Sequence, residues 1–159
     1  MNPRRLLTVI LLGLSLTFIW CLASAWAGEG FLVKDMAGES HNLLDYKGRW
    51  VLVNYWAPWC PPCLEEIPDL VGLYDRRKDK DMAVIGIAFG YKSKKEVADF
   101  VDDMLMSYPV VLGDEKIIGQ IGSADVLPTT YIYNPQGKLV KTKRGLITRA
   151  YIEKLIAGK

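Results

Sequence analysis

Two uncharged runs, Trp50-Val-Leu-Val-Asn-Tyr-Trp-Ala57 and Met82 to Phe89, constrain this chain more than any other feature. Both are rich in β-branched and aromatic residues and long enough for a buried strand. The segment between them, residues 58–81, ends in the charge-dense Asp75 to Asp81 and has the length of a helical crossover between parallel strands. Ser93-Lys-Lys-Glu96 is a capping-box signature, and Val97, Phe100, Val101, Met104 and Leu105 follow at helical spacing, predicting a second helix with an apolar face. Pro109 to Leu112 reads as a short strand, and Ile117, Ile118 and Ile121 as one brief helix. Thr129 to Tyr133 and Lys138 to Thr142 flank Asn134-Pro-Gln-Gly137, a tight turn between antiparallel strands. Thr148 caps a last helix lined by Tyr151, Ile152, Leu155 and Ile156. The expectation is an α/β fold with a mixed central β-sheet flanked by helices.

The N-terminus is of another kind. Arg4 and Arg5 precede a stretch, Leu6 to Ala27, without a charged side chain. As a helix at about 1.5 Å per residue it spans roughly 33 Å, enough to cross a hydrocarbon layer of roughly 30 Å. Ala25-Trp26-Ala27 also offers small residues for a cut before Gly28. Residues 1–27 are therefore read as a signal peptide or an N-terminal membrane anchor, and residues 28–159 as one exported domain. Cys21 reads as a small apolar residue of this run; a lipoprotein signal would want a small residue before it, where Trp20 stands.

Lys plus Arg number 20 against 18 Asp plus Glu, so without Arg4 and Arg5 the acids and bases are equal in number. A neutral body gives no electrostatic reason to expect nucleic-acid binding. The charge runs Arg76 to Lys80 and Lys141 to Arg144 read as solvated surface, with partner docking as the alternative. His41 is the single histidine, which disfavours a Ser-His-Asp triad or a His-rich metal site; it is expected in a loop without a role.

The chemistry concentrates at Trp59-Cys60-Pro-Pro-Cys63, where the first strand ends and a helix begins, with Pro61 suited to the first helical position. In helical geometry an i, i+3 pair has Cα atoms roughly 5 Å apart, within the 4.4–6.8 Å or so that disulfides accept. Cys60 at the helix start would face unpaired N–H groups and the positive end of the dipole, which lower a thiol's pKa, making it the nucleophile. Cys63, one turn inside, would resolve a mixed disulfide. Two other readings remain. A static disulfide closing so short a loop would contribute only about 2 kcal/mol. Half of a zinc site lacks further ligands, since the exported part has no other cysteine and one histidine.

Trp56-Ala-Pro-Trp-Cys-Pro-Pro-Cys63 resembles the active-site signature of the thioredoxin fold, and Leu127-Pro128-Thr129-Thr130 resembles its cis-proline segment. The additional helix and strand across about residues 92–114, including Tyr108-Pro-Val-Val-Leu112, together with Cys63-Leu-Glu-Glu66-Ile-Pro68, resemble the TlpA/ResA/CcmG-like branch of exported thiol-disulfide oxidoreductases. The likeness runs from about Phe31 to the C-terminus. It implies a thioredoxin-like fold, a redox-active Cys60–Cys63 disulfide and a cis bond before Pro128. It also implies a substrate groove formed by Trp59, Pro62, Leu127, Pro128 and Thr129, with Trp59 covering the nucleophile. Glu66 matches the acidic residue of that branch and would exchange a proton with Cys63 if buried with a raised pKa; otherwise it is a solvated helix charge. Glu65 should face solvent, and Pro68 shapes the helix. Asn54 stands six residues before Cys60, where cytoplasmic thioredoxins carry a buried aspartate, and cannot take a proton.

The function implied is reduction of disulfides in extracytoplasmic proteins of a bacterium, with apocytochrome c during cytochrome c maturation as the leading substrate. Recharging would come from a membrane thiol-electron donor of the CcdA/DsbD type. No metal, flavin or nicotinamide motif appears, so no cofactor is expected. Alternatives are a disulfide-forming oxidase, for which Pro61-Pro62 lacks the intervening histidine, and a non-catalytic thioredoxin-like binding module. A peroxidase is weaker, because the peroxiredoxin threonine three residues before the reactive cysteine is Ala57 here.

Overall fold

In the computed structural model, which describes residues 30–158, the two apolar runs are adjacent parallel strands inside a five-stranded sheet. Elements follow in the order β1 (Leu32–Lys34), β2 (Ser40–Asn42), a 3₁₀ turn (Leu43–Tyr46), β3 (Trp50–Trp56), α1 (Pro61–Arg77) and β4 (Met82–Ala88). Then come α2 (Lys94–Asp103), β5 (Val110–Leu112), α3 (Glu115–Ile121), β6 (Thr129–Tyr133), β7 (Leu139–Arg144) and α4 (Arg149–Ala157). The sheet order is β5-β4-β3-β6-β7, with β3, β4 and β5 parallel and β6 and β7 antiparallel to their neighbours. This is the expected mixed sheet with flanking helices, and α2 with β5 form the expected additional unit. The leader, residues 1–27, lies outside the described residues. Among the described residues no helix is long and apolar enough to cross a membrane.

Position in the sheet accounts for the sequence of each strand. β3 and β4 are buried at every residue, so neither shows polar alternation. β7 is an edge strand and carries Lys141, Lys143 and Arg144, charges that discourage pairing with another chain. α1 turns Cys63, Glu66, Ile67, Leu70 and Leu73 inward. Ser93 caps α2 by accepting from the Glu96 N–H, while the Glu96 carboxylate accepts from the Lys92 N–H. Thr148 caps α4 by accepting from the Tyr151 N–H.

Two expectations need correcting. Leu105 does not extend the apolar face of α2: the helix stops at Asp103, Leu105 takes a φ of 50°, and its side chain is 80% exposed. His41 is not in a loop but in β2, between the Tyr46 hydroxyl at 2.7 Å and an Asp35 carboxylate oxygen at 3.1 Å. The segment before Trp50 forms the β1–β2 hairpin and lays Phe31, Val33 and Leu43 against one face of the sheet.

Candidate active site

β3 ends at Trp56, and a turn closed by the Cys60 N–H donating to the Ala57 carbonyl at 3.1 Å delivers Cys60 to the N-cap of α1. Proline at the next two positions starts the helix without leaving N–H groups unpaired. Cys60 and Cys63 form a disulfide with Cα atoms 5.3 Å apart, in line with the separation expected from helical geometry. The N–H groups of Cys63 and Leu64 donate to the Cys60 carbonyl at 3.0 and 3.2 Å. In this oxidised state those two N–H groups are engaged by the backbone and neither is directed at the Cys60 sulfur. Cys60 is 3% exposed and Cys63 fully buried.

The Cys60 side of the pair opens on an apolar groove of about 440 Å³ lined by Trp59, Cys60, Pro61, Pro62, Phe89, Gly90, Ala124, Asp125 and Leu127. Trp59 is 61% exposed and is fixed by its indole N–H donating to the Gly90 carbonyl at 2.8 Å. Gly90 has a φ of 65°, and a β-carbon there would come within 3.3 Å of the Trp59 ring, so glycine suits both the turn and the close approach. The Leu127–Pro128 peptide is cis.

Behind the cysteines, on the same side of α1, Glu66 is 1% exposed. One carboxylate oxygen accepts from the Asn54 side-chain amide at 2.6 Å and the other from the Ile147 N–H at 2.8 Å. The Asn54 amide also donates to the Thr130 hydroxyl at 3.0 Å. Burial pushes the Glu66 carboxyl up to about 7, against the downward pull of the Ile147 and Asn54 hydrogen bonds and the Lys143 ammonium. A carboxyl poised there can both take and return a proton near neutrality. Among the described residues no cluster of three or more His, Cys, Asp or Glu side chains could hold a metal ion.

The AhpC/TSA family profile matches residues 28–142, a span that includes the cysteine pair and the cis-proline. The chain belongs to the AhpC/TSA family. Within it, the thiol-disulfide oxidoreductase ResA of Bacillus subtilis (strain 168) is 33% identical over 122 residues, covering 77% of this chain and 68% of that protein. The thioredoxin-like protein YneN of the same organism is 35% identical over 125 residues, covering 77% of this chain and 72% of that protein. Among solved structures, StoA from Bacillus subtilis matches with a TM-score of 0.68 at 25% identity, covering 80% of this chain and 96% of that one. The fold is thioredoxin-like, and this AhpC/TSA member is a thiol-disulfide oxidoreductase of the ResA type.

The residues that the resemblance singled out are placed unevenly. Trp59, Pro62 and Leu127 line the groove with Cys60. Pro128 and Thr129 are buried and are not among the lining residues, the Thr129 hydroxyl donating to the Val126 carbonyl at 2.6 Å. Glu65 is exposed and Glu66 buried, the two alternatives for neighbouring acids on one helix. In this AhpC/TSA member Ala57, three residues before Cys60, is a buried methyl group. Sequence reasoning missed Gly90, which anchors Trp59, and the Ile147 N–H, which holds Glu66; backbone groups leave no signal in residue type. It also missed Thr130 and Lys143, although strand register could have aligned both with Asn54.

Proposed function

We propose that this thiol-disulfide oxidoreductase works as a reductant outside the cytoplasmic membrane, with the haem-attachment cysteines of apocytochrome c, when oxidised, as its leading substrate. The observation that carries the reading is the asymmetry of the cysteine pair: Cys60 borders an apolar groove, whereas Cys63 is sealed inside near a carboxyl near neutrality. In the reduced enzyme the Cys60 thiolate attacks a substrate disulfide and expels one substrate sulfur as a thiolate. Glu66 takes the proton of the Cys63 thiol, and the Cys63 thiolate attacks the Cys60 sulfur. The Cys60–Cys63 disulfide closes, and the second substrate sulfur leaves as a thiolate that takes a proton from water. Two electrons have then passed from the pair to the substrate.

Support for the location comes from the leader, residues 1–27, whose basic end and apolar run export the domain whether or not the segment is removed. An oxidising compartment needs a dedicated reductant, and the reductant needs recharging. The donor in this reading is a membrane thiol carrier of the CcdA/DsbD type. Trp59, Pro62, Leu127, Pro128 and Thr129 bind the extended substrate segment, the first three through the groove surface and the last two by setting its backbone.

The experiment is to express Cys63→Ser in cells and identify what becomes covalently held by Cys60. Apocytochromes c held through their haem-attachment cysteines are the expected result. Exported proteins at large would replace this substrate class with general reduction. A reduced enzyme unable to reduce any protein disulfide, with a potential as high as that of strong oxidants, would overturn the direction proposed.

A further inference from the structure

Glu66 is buried under α1, yet a single row of side chains connects it to the solvent edge of the sheet. Residues opposite one another on neighbouring strands project from the same face. Asn54 pairs with Thr130, and Thr130 with Lys143, so β3, β6 and β7 align an amide, a hydroxyl and an ammonium group from the sheet centre to its edge. The inner part of the row is continuous: Asn54 donates to the Thr130 hydroxyl and to Glu66. At the outer end Lys143 is partly exposed, and its Nζ donates to the Arg144 carbonyl at 3.0 Å. A β-carbon on Gly145 would lie 4.0 Å from that Nζ. The ammonium therefore rests on the short segment that leads from β7 to Ile147, whose N–H holds the second Glu66 oxygen.

The other groups facing Glu66 supply no compensating charge. Tyr108, on the approach to β5, has a hydroxyl buried without a hydrogen-bond partner, and burial and then the Glu66 charge raise its pKa, so it stays neutral. Thr130 and Asn54 do not titrate. Cys63 lies on α1 itself and is the proton's source. Among the described residues Lys143 is the one cation that draws the Glu66 carboxyl downward, and no salt bridge there occupies its ammonium.

We propose that Lys143 is a positioning residue for proton transfer: from the edge of the sheet it favours the ionised Glu66 carboxylate that accepts the Cys63 proton during resolution of the mixed disulfide. This rests on the reading of Glu66 as the base. In the step concerned, the Cys63 S–H bond breaks as the Glu66 O–H bond forms, the Cys63 electron pair forms the bond to the Cys60 sulfur, and the bond from Cys60 to the substrate sulfur breaks, that sulfur leaving as a thiolate. The acquired proton leaves Glu66 for water.

The test preloads Cys60 of the reduced protein with a thionitrobenzoate mixed disulfide and follows its release by absorbance from pH 5 to 9 in wild type, Lys143→Met, Lys143→Arg and Glu66→Gln. A unit charge acting on a buried carboxyl in a partly screened setting moves it by about half to one pH unit. Lys143→Met should move the midpoint of release upward by that amount, slowing release at pH 6 about three- to tenfold, while Lys143→Arg restores the wild-type midpoint. Thermal midpoints measured in parallel should agree among the lysine variants, since the side chain is at the surface. If Lys143→Met superimposes on wild type while Glu66→Gln loses the midpoint, Lys143 has no such role and Glu66 keeps its own. If Glu66→Gln also retains the wild-type midpoint, the base is not Glu66 and both readings fall.

Discussion

The two faces of the central sheet are built from alternate residues of the same strands, and they are used for different ends. Below the sheet, Val51, Val53, Tyr55, Ile85, Ile87, Tyr131 and Tyr133 meet Phe31, Leu43, Ile117 and Ile121. Aromatic edges interlock there, Phe31 against Tyr133 at 5.8 Å and Tyr55 against Tyr131 at 5.9 Å. The opposite face packs Leu52, Val84, Ala88 and Ile132 under α1, but in the same layer it buries Asn54, Thr130 and Glu66. Asn54 and Tyr55 are neighbours in sequence and belong to the two different worlds. One face stabilises the domain by burying apolar area; the other gives up part of that gain to hold a titratable group beside the cysteines.

The sharpest way to break this division is to remove the chemistry without touching the dry face. Cys60→Ser should reduce disulfide-exchange turnover by roughly 10⁴-fold or more, because the attacking sulfur is gone, while the reduced variant and the reduced wild type unfold at similar urea concentrations. Residual exchange within tenfold of wild type would mean that Cys63 or another group attacks substrate. The reciprocal change is Ile85→Ala on the dry face, where the side chain is fully buried. It should cost about 2–5 kcal/mol of stability by urea unfolding and leave turnover per folded molecule unchanged at moderate temperature. Loss of turnover in step with stability would show that the two faces are not independent.

Glu66 predicts a pH dependence of stability with a definite sign. Its folded pKa of about 7 lies above the ordinary 4.5, so between these pH values the folded state binds more protons than the unfolded one. Stability from this group is fully present below pH 4.5, falls as pH rises and levels off above pH 7, a loss of about 3 kcal/mol. Glu66→Gln should flatten that slope in urea titrations at pH 5 and pH 8. A slope identical to wild type would place the titrating group elsewhere.

Gly86 tests how tightly the chemical face is packed. It stands opposite Asn54 on β4, and a β-carbon there would lie 2.9 Å from the Trp56 indole nitrogen and 2.9 Å from the Tyr108 ring. Gly86→Ala should cost about 1–3 kcal/mol by displacing those rings, with a change in tryptophan fluorescence reporting the movement. An unchanged spectrum and midpoint would indicate spare room at this point.

Much of this was legible in the chain itself, for reasons that differ by element. β3 and β4 were visible because a strand buried on both faces must be apolar throughout, and α2 and α4 because Ser93 and Thr148 sign their starts. The cysteine pair was visible because its spacing alone fixes its geometry. The β1–β2 hairpin was not, since strands as short as Leu32–Lys34 and Ser40–Asn42 carry too few residues to show a period. Glu66 stayed ambiguous for a physical reason: an acid on a helix is ordinarily solvated, and what makes burial tolerable here is an N–H from Ile147, 81 positions away in the chain. Lys143 was lost inside a run of surface charge, and only the register of three strands separates it from its neighbours.

The smallest effect expected gives the finest resolution of the comparison. Thr148 caps α4 and directly follows Ile147, so it adjoins the Glu66 clamp without touching the carboxyl. Thr148→Ala should remove one cap hydrogen bond and cost about 1 kcal/mol in stability. The pH midpoint of mixed-disulfide release should stay where it is, because the Ile147 N–H is held by the preceding turn as well as by the helix: Gly145 donates to the Pro128 carbonyl at 2.8 Å. A midpoint that rises with this substitution would mean that the cap, and not that turn, sets the Ile147 N–H against Glu66. The boundary between the stabilising and the chemical parts of the molecule would then run through α4 instead of along the sheet.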